Sequence, residues 1–111
     1  MRIEHHPIDA VKPYHGNPRA DADAIKVVAC LIRDFGIHNP ILVDTEGMVV
    51  AGHTRLAAMR NLGMAEVPVI VCDWMSPERI HALRHAGGHA TILAAWLEEL
   101  LFQELVRLVT D

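Results

Sequence analysis

The sequence predicts a small domain that mixes short strands with helices, and three observations predict it. Runs rich in β-branched residues, Ile41-Leu42-Val43, Met48-Val49-Val50-Ala51 and Val67-Pro68-Val69-Ile70-Val71-Cys72, are each bounded by turn residues. Other segments carry apolar residues at helical spacing, most clearly Ile25, Val28, Ala29, Ile32 and Phe35. Glycine or proline stands at most junctions between the two kinds of segment.

Each element follows in order. Residues 1–13 read as a short strand interrupted by Pro7, and Tyr14-His15-Gly16-Asn17-Pro18-Arg19 as a turn or loop. Asp21 or Asp23 can cap a helix that runs to about Phe35, with Ile25, Val28, Ala29, Ile32 and Phe35 as its buried stripe. Gly36 is a natural stop for it. Residues 40–44 and 48–51 form two strands of a hairpin around Thr45-Glu46-Gly47. A helix follows Gly52 to about Leu62, with Leu56, Met59 and Leu62 facing inward. The apolar run 67–72 reads as a strand buried on both faces.

Ser76 as cap and Pro77 as first helical residue start the next helix, which ends near Ala86 before Gly87-Gly88. The last helix spans about Thr91 to Val109. Its apolar face is expected to hold Leu93, Trp96, Leu97, Leu100, Leu101, Leu105 and Leu108, with Phe102 and Val106 off that face. A terminal helix so apolar implies a second surface, either a dimer partner or a further domain. The expected organisation is an α/β core over residues 1–75 and a helical extension over 76–111 that packs on the core or a partner.

Bulk composition excludes several function classes. The chain has 111 residues, 51% hydrophobic and 22% charged, which suits one modest core. Its net charge is -4 with eight histidines taken as neutral. A free-standing DNA binder usually carries a basic surplus, so contact with nucleic acid is expected from a local patch, a partner or a neighbouring domain. Cys30 and Cys72 lie inside apolar runs and read as reduced core residues of a cytoplasmic protein. The first residues lack the apolar stretch of a signal peptide, and no apolar run approaches membrane length.

The chemistry concentrates at Met48–Arg60, where a strand turns at Gly52 into a helix. The first N–H groups of such a helix and the positive end of its dipole form an anion site. His53, Thr54 and Arg55 add side-chain donors, and Arg19 and Arg60 are candidate outer charges. The competing reading is an ordinary strand-to-helix connection with Thr54 as cap and Arg55 in solvent. His81, His85 and His89 are spaced at four, but the double glycine interrupts the series and no further ligand completes a metal set, so no metal site is expected. Neither cysteine has the electropositive, open setting of a nucleophile.

These residues carry a resemblance. Asn17-Pro18-Arg19, Ile32-Arg33-Asp34-Phe35-Gly36, Asn39-Pro40-Ile41-Leu42-Val43-Asp44, Val50-Ala51-Gly52-His53-Thr54-Arg55-Leu56-Ala57-Ala58, Leu62-Gly63 and Val67-Pro68-Val69 resemble, in order and spacing, the N-terminal domain of the ParB family. That family belongs to the ParB/sulfiredoxin superfamily and its members are often called ParB-like nucleases. The subgroup most similar precedes phage and plasmid DNA methyltransferases, and Ala82-Leu83-Arg84 and Leu93–Leu101 match it too. The match runs from about residue 3 to residue 101.

The resemblance implies an α+β fold, a small mixed sheet packed against helices with a C-terminal helical segment. It implies that the turn Gly52–Arg55 is the phosphate box that holds CTP in ParB proteins and ATP in sulfiredoxins. It also implies a DNA context of partitioning, modification or nuclease activity, and a methyltransferase or DNA-reading domain beyond Asp111. Three departures qualify it. His53 stands where sulfiredoxins place their cysteine, Leu31 where many relatives carry serine or threonine, and Gly87-Gly88-His89 where the methylase-linked subgroup reads Asp-Asn-Arg. The last argues against Mg2+ and metal-assisted hydrolysis.

Three functions are therefore expected in descending order. The first is a binding module in which Gly52, His53, Thr54 and Arg55 hold a nucleotide or a DNA phosphate. The second is a metal-dependent nuclease or nucleotide hydrolase with His53 as acid/base and Arg55 stabilising charge. The third is a degenerate structural module that forms a homodimer through its last helix.

Overall fold

The computed structural model describes residues 2–14, 21–86 and 92–109, with side chains outside 86 and 92–96. Four strands, β1 (Glu4–Pro7), β2 (Ile41–Val43), β3 (Val49–Ala51) and β4 (Glu66–Val71), form one mixed sheet in the order β1-β4-β2-β3. Four helices accompany it: α1 (Ala22–Phe35), α2 (His53–Asn61), α3 (Pro77–Ala86) and α4 (Ile92–Val109). The class is α+β, as the sequence implies. The start differs: the strand occupies four residues, and Ile8–Ala10 form a turn of 3-10 helix.

The long apolar run becomes β4, one of the two inner strands, consistent with its burial on both faces. β4 pairs antiparallel with β1, Glu4 opposite Val69, and parallel with β2, Ile41 opposite Val69. The hairpin β2–β3 is antiparallel and its register shifts between Leu42 and Val43. Asp44 closes its turn. One carboxylate oxygen accepts from the amides of Glu46 and Met48 at 2.9 and 3.0 Å, the Asx pattern that makes aspartate a turn residue. The other accepts from Arg84 of α3 at 2.9 Å. Arg84 also donates to the carbonyl of Val49 at 2.9 Å, so α3 is pinned to the hairpin.

Helices α1 and α2 pack together, and the core joins Val28 and Ile32, Leu56, Ala58 and Met59, and sheet residues Ile41, Val43, Val49, Val67 and Val69. Each such aliphatic side chain contributes about 1.5–3 kcal/mol on burial. Asp21 caps α1 by accepting from the amide of Asp23 at 2.8 Å. Gly36 ends it at φ 68, which only glycine adopts freely. The expected stripe shifts by part of a turn. Val28 and Ile32 are buried, Leu31 and Ala24 join them, and Phe35 is 64% exposed.

The larger correction concerns α4. Leu97, Leu101, Leu105 and Leu108 face outward. The helix docks through Glu99, which is buried, and through Phe102 and Val106, which are half-buried. The face that periodicity assigned to solvent is the one that meets the core, because Glu99 has a buried partner there. Leu93 and Trp96 lie outside the described side chains, and Cys30 is half-exposed with its thiol on Asp34 rather than in the core.

Burial pushes the Asp44 carboxyl upward, but the bonds from Arg84 and from the amides of Met48 and Glu46 outweigh it and hold the group below its ordinary range. A carboxylate depressed in the fold stabilises it at any pH above its unfolded value, and that stabilisation is lost as pH falls through the folded value. Asp44→Asn should therefore flatten part of the stability loss below about pH 4. Urea melts of wild type and variant between pH 7 and pH 2.5 check this; parallel curves would refute it.

Candidate functional site

Gly52 makes the junction between β3 and α2. Its backbone is left-handed, φ 109 and ψ 28, a conformation that a side chain would strain. A Cβ there would also lie 3.1 Å from Nη1 of Arg55 and 3.5 Å from Ile41. The first helical bond runs from the amide of Leu56 to the carbonyl of Gly52 at 2.9 Å. The amides of His53, Thr54 and Arg55 thus have no carbonyl a turn behind them. No side chain caps this end, and its first turn holds no acidic residue. Open N–H groups at the positive end of a helix dipole are the kind of donors that anions meet.

The side chains are disposed differently from the sequence expectation. Arg55 points inward, 4% exposed. Its Nε donates to both carboxylate oxygens of Glu99 at 2.8 and 3.0 Å, and Nη1 donates to the carbonyl of Pro40 at 3.2 Å. The guanidinium lies 4.2 Å from the centre of the Phe102 ring. Asn39 completes the group, donating from Nδ2 to the Glu99 backbone carbonyl at 2.8 Å and to Oε1 at 3.1 Å. Arg55 therefore joins α2 to α4 and contributes its amide, not its guanidinium, to the turn. Arg60 sits nearly one and a half turns beyond Arg55, roughly 7.5 Å up the axis, with Nη2 directed at the carbonyl of Val11 at 3.4 Å. Arg19 lies outside the described residues.

His53 and Thr54 remain at the mouth, both half-buried. The Nε2 atom of His53 accepts the backbone N–H of Tyr14 at 3.2 Å. Burial, and then the nearby Arg84 charge, push the imidazole below its ordinary range, so it is neutral at pH 7. The Tyr14 ring lies on the Arg84 guanidinium, 4.6 Å from its centre, and meets His85 edge-on at 6.4 Å. The rings of His81 and His85 lie 4.5 Å apart, tilted by 58°. Among the described residues no three His, Cys, Asp or Glu side chains come together as a metal set. His89 lies outside those residues.

Sequence reasoning missed Glu99, Arg84 and Tyr14 as parts of this region. Glu99 left a signal: with Phe102 and Val106 it repeats at three and four along one helical face. Nothing local announces that Arg84 and Tyr14 meet beside His53.

Comparison with known proteins now decides the family. The model of the ParB N-terminal domain matches residues 1–86. The chain belongs to the ParB N-terminal domain family. It is 34% identical over 80 residues to the ParB-like nuclease domain-containing protein YnaK of Escherichia coli K12, covering 71% of this chain and 92% of YnaK. Among solved structures it resembles the C-terminally truncated chromosome-partitioning protein ParB of Caulobacter crescentus complexed with CTP-gamma-S. There the TM-score is 0.63 at 21% identity, over 96% of this chain and 66% of that one. It also resembles a free serine kinase in complex with AMP, with TM-score 0.55 at 19% identity over 68% of this chain and 32% of that one. At these identities the two structures share the fold. The chain spans nearly all of YnaK but about two thirds of the ParB chain and one third of the kinase. No helix among the described residues is long and apolar enough to cross a membrane.

A buried ion pair broken on one side leaves an uncompensated charge and costs about 3–5 kcal/mol. Glu99→Ala should destabilise the chain by that amount, whereas Arg55→Met with Glu99→Leu should recover most of the loss. Chemical denaturation of both variants checks it; equal losses would show that the pair is not the anchor.

Proposed function

We propose that this ParB-type domain is a phosphate-binding module. The turn at Gly52–Arg55 holds a phosphate of a nucleotide, CTP or ATP, or of nucleic acid, in DNA partitioning or DNA modification. The observation that carries this reading is the uncapped start of α2 behind a left-handed glycine. The amides of His53, Thr54 and Arg55 supply the cradle, the Thr54 hydroxyl a further donor, and Arg19 the candidate outer charge. The fold shared with a ParB bound to CTP-gamma-S and a kinase bound to AMP supports it. The outward leucines of α4 are proposed to pair with a second copy or with a following methyltransferase or DNA-reading domain.

Binding ranks above hydrolysis for a physical reason. A general base needs a free lone pair within reach of the proton it takes. The Nε2 lone pair of His53 already accepts from Tyr14, and the neighbouring carboxylate Asp44 is engaged by Arg84.

A ligand that binds only the folded state at a hundred times its Kd adds about 2.7 kcal/mol of stability. CTP, ATP or a short DNA duplex should therefore raise the melting temperature. Thr54→Val should weaken that ligand about 10- to 100-fold, the range for losing one hydrogen bond to a charged group. Thermal melts and titration calorimetry check both; a melting point unmoved by every one of the three would overturn the reading.

A further inference from the structure

Tyr14 is tied to the mouth of the candidate site by two different attachments. Its backbone N–H donates to Nε2 of His53 at 3.2 Å, and its ring lies on the Arg84 guanidinium at 4.6 Å. His53 is the first residue of α2, directly after Gly52. We propose that Tyr14 is a proton-released strap on the α2 N-terminus: it docks while His53 is neutral and lets go when His53 takes a proton.

The chemistry of imidazole supports this. A neutral ring offers one acceptor nitrogen, and here that nitrogen faces Tyr14, so the ring proton sits on Nδ1. The imidazolium has two N–H groups and no acceptor. Protonation would therefore set an N–H against the Tyr14 N–H, turning an attraction into a clash of donors.

Surrounding charges set where that happens. Arg84 of α3 is the cation facing His53, and it disfavours a second positive charge there, as burial does. Arg84 is itself paired with Asp44 from the β2–β3 turn at 2.9 Å. His85 reaches the same place through the edge of the Tyr14 ring, with the His81 ring beside it. On α2 itself, Arg55 is directed to Glu99 and away from this cluster. The strap therefore holds at neutral pH and releases in mild acid, below the ordinary histidine midpoint of about 6.5.

Its consequence for the site rests on the phosphate reading above. An anion on the amides of residues 53–55 would stabilise the imidazolium, whereas docked Tyr14 requires the neutral ring. The two guests then oppose each other through one proton: anion binding raises the His53 midpoint and loosens Tyr14, and acid favours the anion.

The chain contains a single tyrosine, which makes a direct test available. Protein labelled with nitrogen-15 only at tyrosine shows one backbone amide by NMR. Its shift is followed from pH 8 to pH 5, with sodium sulfate as anion probe against sodium chloride of equal ionic strength. Sulfate keeps its charge across this range. The expected result is a transition with a midpoint below about 6.5 that is retained in His85→Gln and abolished in His53→Gln, whose amide oxygen accepts but does not titrate. Sulfate should move the midpoint up by roughly one unit, the scale of a neighbouring opposite charge, with sulfate bound about tenfold tighter below the midpoint than above it. A flat wild-type profile, or a transition that survives His53→Gln, overturns the strap. A His53-dependent transition that ignores sulfate supports the strap and overturns the phosphate reading alone.

Discussion

Beneath the turn that opens α2, the Arg55 guanidinium and the Glu99 carboxylate meet at 2.8 Å, each side chain about 95% out of solvent. Neither charge is tolerable there without the other. Much of the domain's upper half is arranged to satisfy them. Pro40 contributes its carbonyl and Asn39 its amide to the group, and Phe102 covers the guanidinium. Those residues come from α2, from the connection before β2 and from α4, so one pair ties together three stretches distant in sequence.

The orientation of α4 follows from the same constraint. Rotating the helix to bury Leu97, Leu101, Leu105 and Leu108 would gain about 1.5–3 kcal/mol for each leucine. It would also strand Arg55, at about 3–5 kcal/mol, and leave Asn39 without its acceptors, at about 1–3 kcal/mol. The leucines together would gain about 6–12 kcal/mol; against that stand about 4–8 kcal/mol for the stranded polar groups and the exposure of Phe102 and Val106, which are now half-buried. The leucines face outward because Glu99, Phe102 and Val106 occupy the inner face, not because exposure suits them. They remain apolar surface that a second partner would cover.

Local signals made most elements legible. The Asp21 cap, the Gly36 stop, the hairpin around Asp44 and the Ser76-Pro77 start all act within four residues, and the structure contains each of them. The two contacts at the site that the sequence did not announce are both long-range. Arg55 and Glu99 are 44 residues apart, and Tyr14 and His53 are 39. Periodicity sorts residues by hydropathy, so it assigned Glu99 to solvent and Phe35 to the core. A buried ion pair reverses that rule for Glu99, and no window along the chain contains its partner. The turn at Gly52 was legible because a left-handed glycine between a strand and a helix is a local event. The direction of the Arg55 side chain was not, because it depends on Glu99, 44 residues away along the chain, a distance that pattern reading does not bridge.

Charge bookkeeping at the site then changes character. Two arginines approach the start of α2, and each is matched by a carboxylate: Arg55 by Glu99, and Arg84 by Asp44. The nearest titratable ring, His53, is held neutral by burial and by Arg84. What faces outward is therefore a set of backbone dipoles with little net side-chain charge. Under the phosphate reading proposed above, such a cradle would recognise an anion by geometry, through fixed N–H directions, more than by long-range attraction. Geometry of that kind depends on the backbone being held in place. Arg55 does so from below, since its Nη1 would lie only 3.1 Å from a Cβ at Gly52. The arginine that sequence reasoning expected to touch the guest instead shapes the turn that would receive it.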